Sequence, residues 1–233
     1  MSNKAVILLS GGLDSTTLMA IAAEEGYDLY PITFSYGQRH ENEISCAKKI
    51  ASVFNAKEHM IFDIDLAKIG GSSLTSSEPV PKGRGAEEIS ASIPSTYVPA
   101  RNTIFLSIAL ARAETIASRA IFIGVNSIDW SGYPDCRPEY IRAFQSMADL
   151  ATKTGVEDKE KIKIFAPLIN MTKGEIIKKG ISLGVDYSLT HSCYDPVKGE
   201  GNKSAGKPCG ICDSCLLRKK GFAEAGVRDP LSL

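Results

Sequence analysis

Ala5-Val6-Ile7-Leu8-Leu9-Ser10-Gly11-Gly12-Leu13-Asp14-Ser15-Thr16-Thr17 is the stretch on which the fold turns. An unbroken apolar run suits a strand buried on both faces, as in a parallel sheet. The glycine pair lets backbone approach a ligand, and a helix starting near Thr16 presents unsatisfied N–H groups to an anion. Ser10, Ser15 and Thr16 add hydroxyl donors. Asp14 is the exception, because a carboxylate repels phosphate unless Mg²⁺ bridges the two or the side chain caps the helix. The stretch is neither G-x-x-x-x-G-K-[ST], having no lysine, nor G-x-G-x-x-G. A lone Gly-Gly pair is ordinarily just a turn. Six specified residues between strand and helix point to a phosphate loop.

Outward from this loop, the first helix should close at Gly26. Asp28 to Phe34 reads as a second strand, with Pro31 counting slightly against it, and Glu58 to Ile64 as a third. Between them, Ile44, Ala47, Ile50, Ala51 and Phe54 give helical spacing over 41–54. This alternation is that of right-handed βαβ crossovers. Gly70 to Pro94 has no periodicity and is expected to be a lid-like loop. A helix over Thr103 to Ala117, a strand over Ala120 to Val125 and a helix opening at Pro138 follow. A strand over Ile162 to Phe165 and a helix over Thr172 to Leu183, stopped by Gly184, complete the rhythm. The fold class is α/β: an open, mostly parallel sheet with helices on both faces over residues 1–185, then a cysteine-rich region over 186–226.

The chain has 233 residues, with 27 basic and 27 acidic side chains and no net charge. That balance excludes a generally basic nucleic-acid coat. No apolar run approaches the roughly 20 residues of a membrane span, and the five apolar residues after Met1-Ser2-Asn3-Lys4 are too few for a secretory signal. A cytosolic protein is expected, with neither membrane nor nucleic acid as a direct partner. Cys193, Cys209, Cys212 and Cys215 are spaced C-x15-C-x2-C-x2-C, whereas Cys46 and Cys136 stand alone. In a reducing compartment the cluster reads as a four-cysteine metal site, suited to Zn²⁺ or iron–sulfur. Lys207, Arg218, Lys219 and Lys220 nearby read as a solvated face rather than a nucleic-acid contact.

Four further segments fall at expected strand or helix ends: Tyr36-Gly37-Gln38-Arg39-His40, Tyr97-Val98-Pro99-Ala100-Arg101-Asn102, Gly124-Val125-Asn126 and Ser131-Gly132-Tyr133-Pro134-Asp135-Cys136-Arg137. Arg101 can complement phosphate charge. Tyr133, Asp135, Cys136 and Arg137, with Trp130 upstream, suit a flat heteroaromatic ligand bearing a carboxylate, since rings stack, Asp accepts from N–H and Arg pairs with carboxylate. Singly, each is more often packing or surface charge. Jointly, at the carboxyl edge of a sheet, they point to a site.

The phosphate loop resembles S-G-G-x-D-S of the ATP pyrophosphatase superfamily, whose fold is adenine nucleotide alpha hydrolase-like. Together with the four segments and Cys209-Gly210-Ile211-Cys212-Asp213-Ser214-Cys215-Leu216-Leu217-Arg218, the chain resembles, from the first strand to about Phe222, the 7-cyano-7-deazaguanine synthase family of queuosine biosynthesis. Leu13 departs from the glutamine frequent there. The resemblance implies an ATP-dependent ligase that turns 7-carboxy-7-deazaguanine and ammonia into a nitrile through adenylated acid and amide. It implies cofactor contacts along Leu9, Ser10, Gly11, Gly12, Leu13, Asp14, Ser15, Thr16, Thr17, Leu18 and Met19, and catalytic roles for Asp14, Ser15 and Arg101. It also favours structural Zn²⁺ on the four cysteines, Mg²⁺ with ATP, and a homodimer. The alternative is a tRNA-modifying relative of the thiolase or lysidine-synthetase type.

Overall fold

The computed structural model describes residues 3–37, 42–85, 88–89, 93–128, 133–157, 160–197 and 206–231. β1 (Lys4–Leu8) leads through α1 (Leu13–Glu24) to β2 (Asp28–Ser35), and α2 (Asn42–Val53) leads on to β3 (Met60–Asp63). Then come α3 (Arg101–Thr115), β4 (Ala120–Phe122), α4 (Pro138–Ala151), the short α5 (Lys153–Glu157), β5 (Lys163–Phe165), α6 (Lys173–Ser182) and α7 (Asp213–Ala225). The strands form one parallel sheet in the order β3-β2-β1-β4-β5. Strand order therefore reverses between β1 and β4, where the two outgoing loops diverge and open a crevice at the carboxyl edge.

β1 explains why both faces are covered. Val6 packs in a cluster with Leu106 and Ala109 of α3 and Phe144 of α4. Ala5 and Ile7 join Leu18 of α1, Ile50 of α2 and Ile177 of α6. Successive strand residues face opposite ways, so two helical layers require an apolar run without polar interruption. Burying each large aliphatic side chain contributes about 1.5–3 kcal/mol.

The expected strands and helices form, with informative shifts at their ends. α1 begins at Leu13, before Thr16, because extended Gly12 is its N-cap and no side chain caps it. α3 begins at Arg101, after Ala100 in the left-handed conformation (φ 54°), which puts Arg101 in the first turn. β2 runs through Pro31, paired with Ile7. β4 stops at Phe122, short of the expected Val125. The cysteine tail holds a helix that periodicity had hidden. α7 buries Cys215, Leu217, Arg218, Gly221 and Phe222, a face too polar and too small-sided to read as an apolar stripe. It lies close on α6, for a Cβ at Gly221 would sit 2.3 Å from Lys173 Cγ.

Within the loop over 70–94, Leu74 and Val80 are buried in the same cluster as Val6. Its far end docks on the cysteine region: Gly83 N donates to Ile211 O at 2.8 Å, Lys82 pairs with Asp195 at 2.6 Å, and Arg84 forks onto the buried Asp213. Among the described residues no helix is long and apolar enough to cross a membrane.

Candidate active site

A cavity of about 240 Å³ opens where the sheet order reverses. The phosphate loop forms its floor, and its hydroxyls are held by the loop itself. Ser10 N donates to Ser15 Oγ at 3.2 Å, Ser15 Oγ donates to Gly12 O at 3.1 Å, and the Ser10 and Ser15 hydroxyls lie 3.0 Å apart. Gly11 has φ 82°, and a Cβ there would sit 2.3 Å from the Glu43 carbonyl oxygen. Only glycine lets α2 pack this close. The first turn of α1 has no side-chain cap, so its leading N–H groups are left for an anion, and Leu13 and Asp14 of that turn line the cavity.

Asp14 neither caps the helix nor stands alone. Lys173 Nζ donates to both of its oxygens at 2.7 Å. Lys173 is only 5% exposed, so this cation is committed to the cavity. Sequence reasoning did not single it out, because 159 positions separate the pair.

Arg101 projects into the cavity from α3, 5.9 Å from the Tyr36 ring centroid. Burial works against its charge, yet the surrounding phenols of Tyr36, Tyr133 and Tyr194 hold its pKa above the ordinary value. Phe34 and Phe105 stack at 3.9 Å and 3° to form an apolar wall. Glu43, in the first turn of α2, also lines the cavity, and burial raises its carboxyl to about 7 against the pull of Arg101. Neither Glu43 nor Tyr194 stood out in the sequence.

The loop residues separate into two sets. Leu9, Ser10, Gly12, Leu13, Asp14 and Ser15 line the cavity. Gly11, Thr16, Thr17, Leu18 and Met19 do not: Thr16 Oγ1 bonds to Gly12 O at 2.8 Å, Thr17 Oγ1 meets the Tyr187 hydroxyl at 2.7 Å, and Leu18 and Met19 are core. The expected substrate residues divide likewise. Tyr133 and Cys136 line the cavity. Asp135 is turned away and accepts from Asn102 N at 3.0 Å, which caps α3. Arg137 is exposed on the N-cap of α4. Burial and the Asp135 carboxylate push the Cys136 thiol up to about 12, so it carries no thiolate for nucleophilic attack near neutrality. Gln38, Arg39, His40 and residues 129–132, including Trp130, lie outside the described residues.

The sulfur atoms of Cys193, Cys209, Cys212 and Cys215 all lie within 4.8 Å of one another. A tetrahedral ion with metal–sulfur bonds of about 2.3 Å separates its ligands by about 3.8 Å, close to the 4.0 Å between the Cys212 and Cys193 sulfurs. Backbone N–H groups already point at sulfur, from Cys209 to Cys193 at 3.2 Å and from Cys212 to Cys209 at 3.4 Å. Hydrogen bonding with Cys193 and Cys215 pulls the Cys212 thiol well below its usual value. The donor set fits a closed metal site.

This centre joins the cavity through its flanks. His191, Ser192 and Tyr194 on one side, and Ser214, Leu217 and Arg218 on the other, line the cavity. His191 N donates to Gly11 O at 2.9 Å. Arg218, expected on a solvated face, is instead 1% exposed. It forks onto Asp229 at 2.8 and 2.9 Å and donates to Thr190 Oγ1 at 2.7 Å. The missing signal was Asp229, a partner that only folding brings near.

The family described as Queuosine biosynthesis protein QueC matches residues 4–226. A relative from Desulfatibacillum aliphaticivorans, named 7-cyano-7-deazaguanine synthase, is 62% identical over 97% of this chain and 95% of its own. A protein of the same name from Syntrophus aciditrophicus (strain SB) is 61% identical over 97% of this chain and 96% of its own. Among solved structures, NMN synthetase from Francisella tularensis aligns over 96% of this chain and 87% of its own, at 15% identity and a TM-score of 0.47.

Proposed function

Because the chain belongs to the QueC family of queuosine biosynthesis proteins, we propose that it is an ATP-dependent ligase that converts 7-carboxy-7-deazaguanine and ammonia to 7-cyano-7-deazaguanine. The observation that carries this reading is one cavity holding a phosphate loop, the Asp14–Lys173 pair, Arg101 and an aromatic wall. The loop N–H groups hold the pyrophosphate portion of ATP, and the Ser10 and Ser15 hydroxyls brace the loop around it. Lys173 and Arg101 meet the charge that grows on the α-phosphate as the acid is adenylated, where preorganised cations count most. Tyr133, Cys136 and Tyr194 border the space for the flat heterocycle. Asp135 and Arg137 act from outside the cavity, Asp135 by fixing the start of α3 and so the aim of Arg101.

Asp14 is the loop carboxylate that would hold Mg²⁺ against the ATP phosphates, alongside its ion pair with Lys173. Cys193, Cys209, Cys212 and Cys215 would hold Zn²⁺, which would supply a structural crosslink there. The four cysteines thereby clamp together the two segments that form one side of the cavity. The protein works in the cytoplasm as a homodimer, which sedimentation at twice the mass of one chain would register.

The decisive assay supplies ATP, ammonium and 7-carboxy-7-deazaguanine and follows AMP, pyrophosphate and the nitrile. Nitrile formation with release of both is the expected result. AMP release that requires tRNA as acceptor would overturn the reading in favour of an RNA-modifying enzyme.

A further inference from the structure

We infer that Glu43 is the general base that takes up the protons released as nitrogen is installed and then dehydrated to the nitrile. This deepens the reaction proposed above and rests on it. The placement is geometric. Among the described residues two carboxylates line the cavity, Asp14 and Glu43. Asp14 is occupied through both oxygens by Lys173. Glu43 enters from α2, and its backbone abuts Gly11, so its position is tied to the loop that holds the nucleotide. The facing groups are Arg101 of α3 and Tyr36 at the end of β2, with Cys46 one turn along α2.

The lining phenols and the Cys136 thiol are poor proton acceptors. Burial raises the phenols of Tyr36, Tyr133 and Tyr194 and the thiol of Cys136, so all remain protonated near neutrality. His191 Nε2 donates to Cys193 O at 3.1 Å, which anchors its ring to the cysteine segment. Glu43 alone among them pairs half-burial with a carboxyl near 7, where a base is most efficient at neutral pH.

The chemistry needs such a group for four proton transfers. Ammonium must lose a proton before its nitrogen can attack. The lone pair then forms the C–N bond, the bond to the AMP oxygen breaks, and AMP leaves with the electron pair. A further N–H proton passes to the base to give the neutral amide. After the amide oxygen is adenylated, nitrogen loses two protons in turn. Its lone pair completes the C≡N bond as the second AMP departs. Being half-buried, Glu43 can pass each proton to solvent before taking the next.

The test starts from the amide, ATP and wild-type protein and measures nitrile formation against pH. The wild-type rate should rise through an apparent pKa of about 7. Glu43→Gln should lower kcat by about 10²–10⁴-fold and abolish that limb. Glu43→Asp should restore part of both. A Glu43→Gln rate within about threefold of wild type, or a persisting limb, would overturn the proposal. So would a raised KM with unchanged kcat, the mark of a binding role. Should Glu43→Gln fail to fold, Glu43→Asp decides: a slower rate with a displaced limb supports the base, and an unchanged profile overturns it. Wild-type protein that makes no nitrile from either acid or amide would instead sink the reading of the reaction itself.

Discussion

A lysine at the first position of a helix works against the macrodipole, whose positive end lies there. Lys173 occupies that position on α6, behind the Thr172–Glu175 capping box. Its placement makes sense only through Asp14. Lys173→Gln leaves the Asp14 carboxylate, 23% exposed, facing the triphosphate without its cation. Pyrophosphate release should fall by about 10²-fold or more. Unfolding in urea should show a loss of about 1–3 kcal/mol, discounted from the cost of breaking a fully buried pair. The double variant Asp14→Asn/Lys173→Gln should recover part of that stability and none of the activity. Glu43 makes the opposite prediction for stability. The folded protein holds its proton up to about pH 7, whereas the unfolded carboxyl titrates near 4.5. The folded state therefore binds more protons within that window, and stability falls as pH rises through it. Glu43→Gln should be more stable than wild type by about 1–3 kcal/mol at pH 8, and equal to it below about pH 4. Equal stability at pH 8 would show that burial of Glu43 carries no cost.

At the scale of elements, α7 ties the cysteine cluster to the cavity. Cys212 is its N-cap and Cys215 lies in its first turn, with Arg218 one turn further along. Arg84 from the 70–94 loop reaches Asp213 on the same helix. A metal at the cysteines would hold all of these together, so removing it should loosen more than the knuckle. Chelation, or Cys212→Ser, is expected to raise hydrogen exchange over 80–85, 191–194 and 213–218 together, and to abolish nitrile formation. Faster exchange confined to 209–215 would mean that the helix and loop stand without the metal. The cysteines were legible because ligand spacing is local. The helix carrying two of them was not, because its buried face breaks its apolar residues with an ion pair and a glycine contact.

For the molecule as a whole, the site draws on nearly the entire chain, from Leu8 to Arg218. A nucleotide bound there bridges α1, α3, α6 and α7, so occupancy should stabilise the fold globally. At 100 times its dissociation constant a ligand adds about 2.7 kcal/mol, which for a chain of this size is about 5–10 °C in thermal midpoint. A non-hydrolysable ATP analogue should produce that shift in one cooperative transition, and no shift in Lys173→Gln at the same concentration. Two transitions on heating would show that the cysteine region melts separately from the sheet.

The apolar run into Ser10–Ser15, the alternation of strands and helices and the cysteine spacing are local patterns, with physical causes that act within a few residues. They sufficed for the α/β class, the phosphate loop and the cysteine cluster that could hold a metal. Which loop residues face the cavity is another matter, since helical geometry turns Thr17, Leu18 and Met19 into the core. So is the capping role of Asp135, which depends on Asn102 being brought beside it. Lys173, Glu43 and Arg218 have neighbours set by strand order and helix packing, which carry charges distant in the chain to a few ångströms apart. Burial then fixes how those charges behave, and burial belongs to the folded molecule alone.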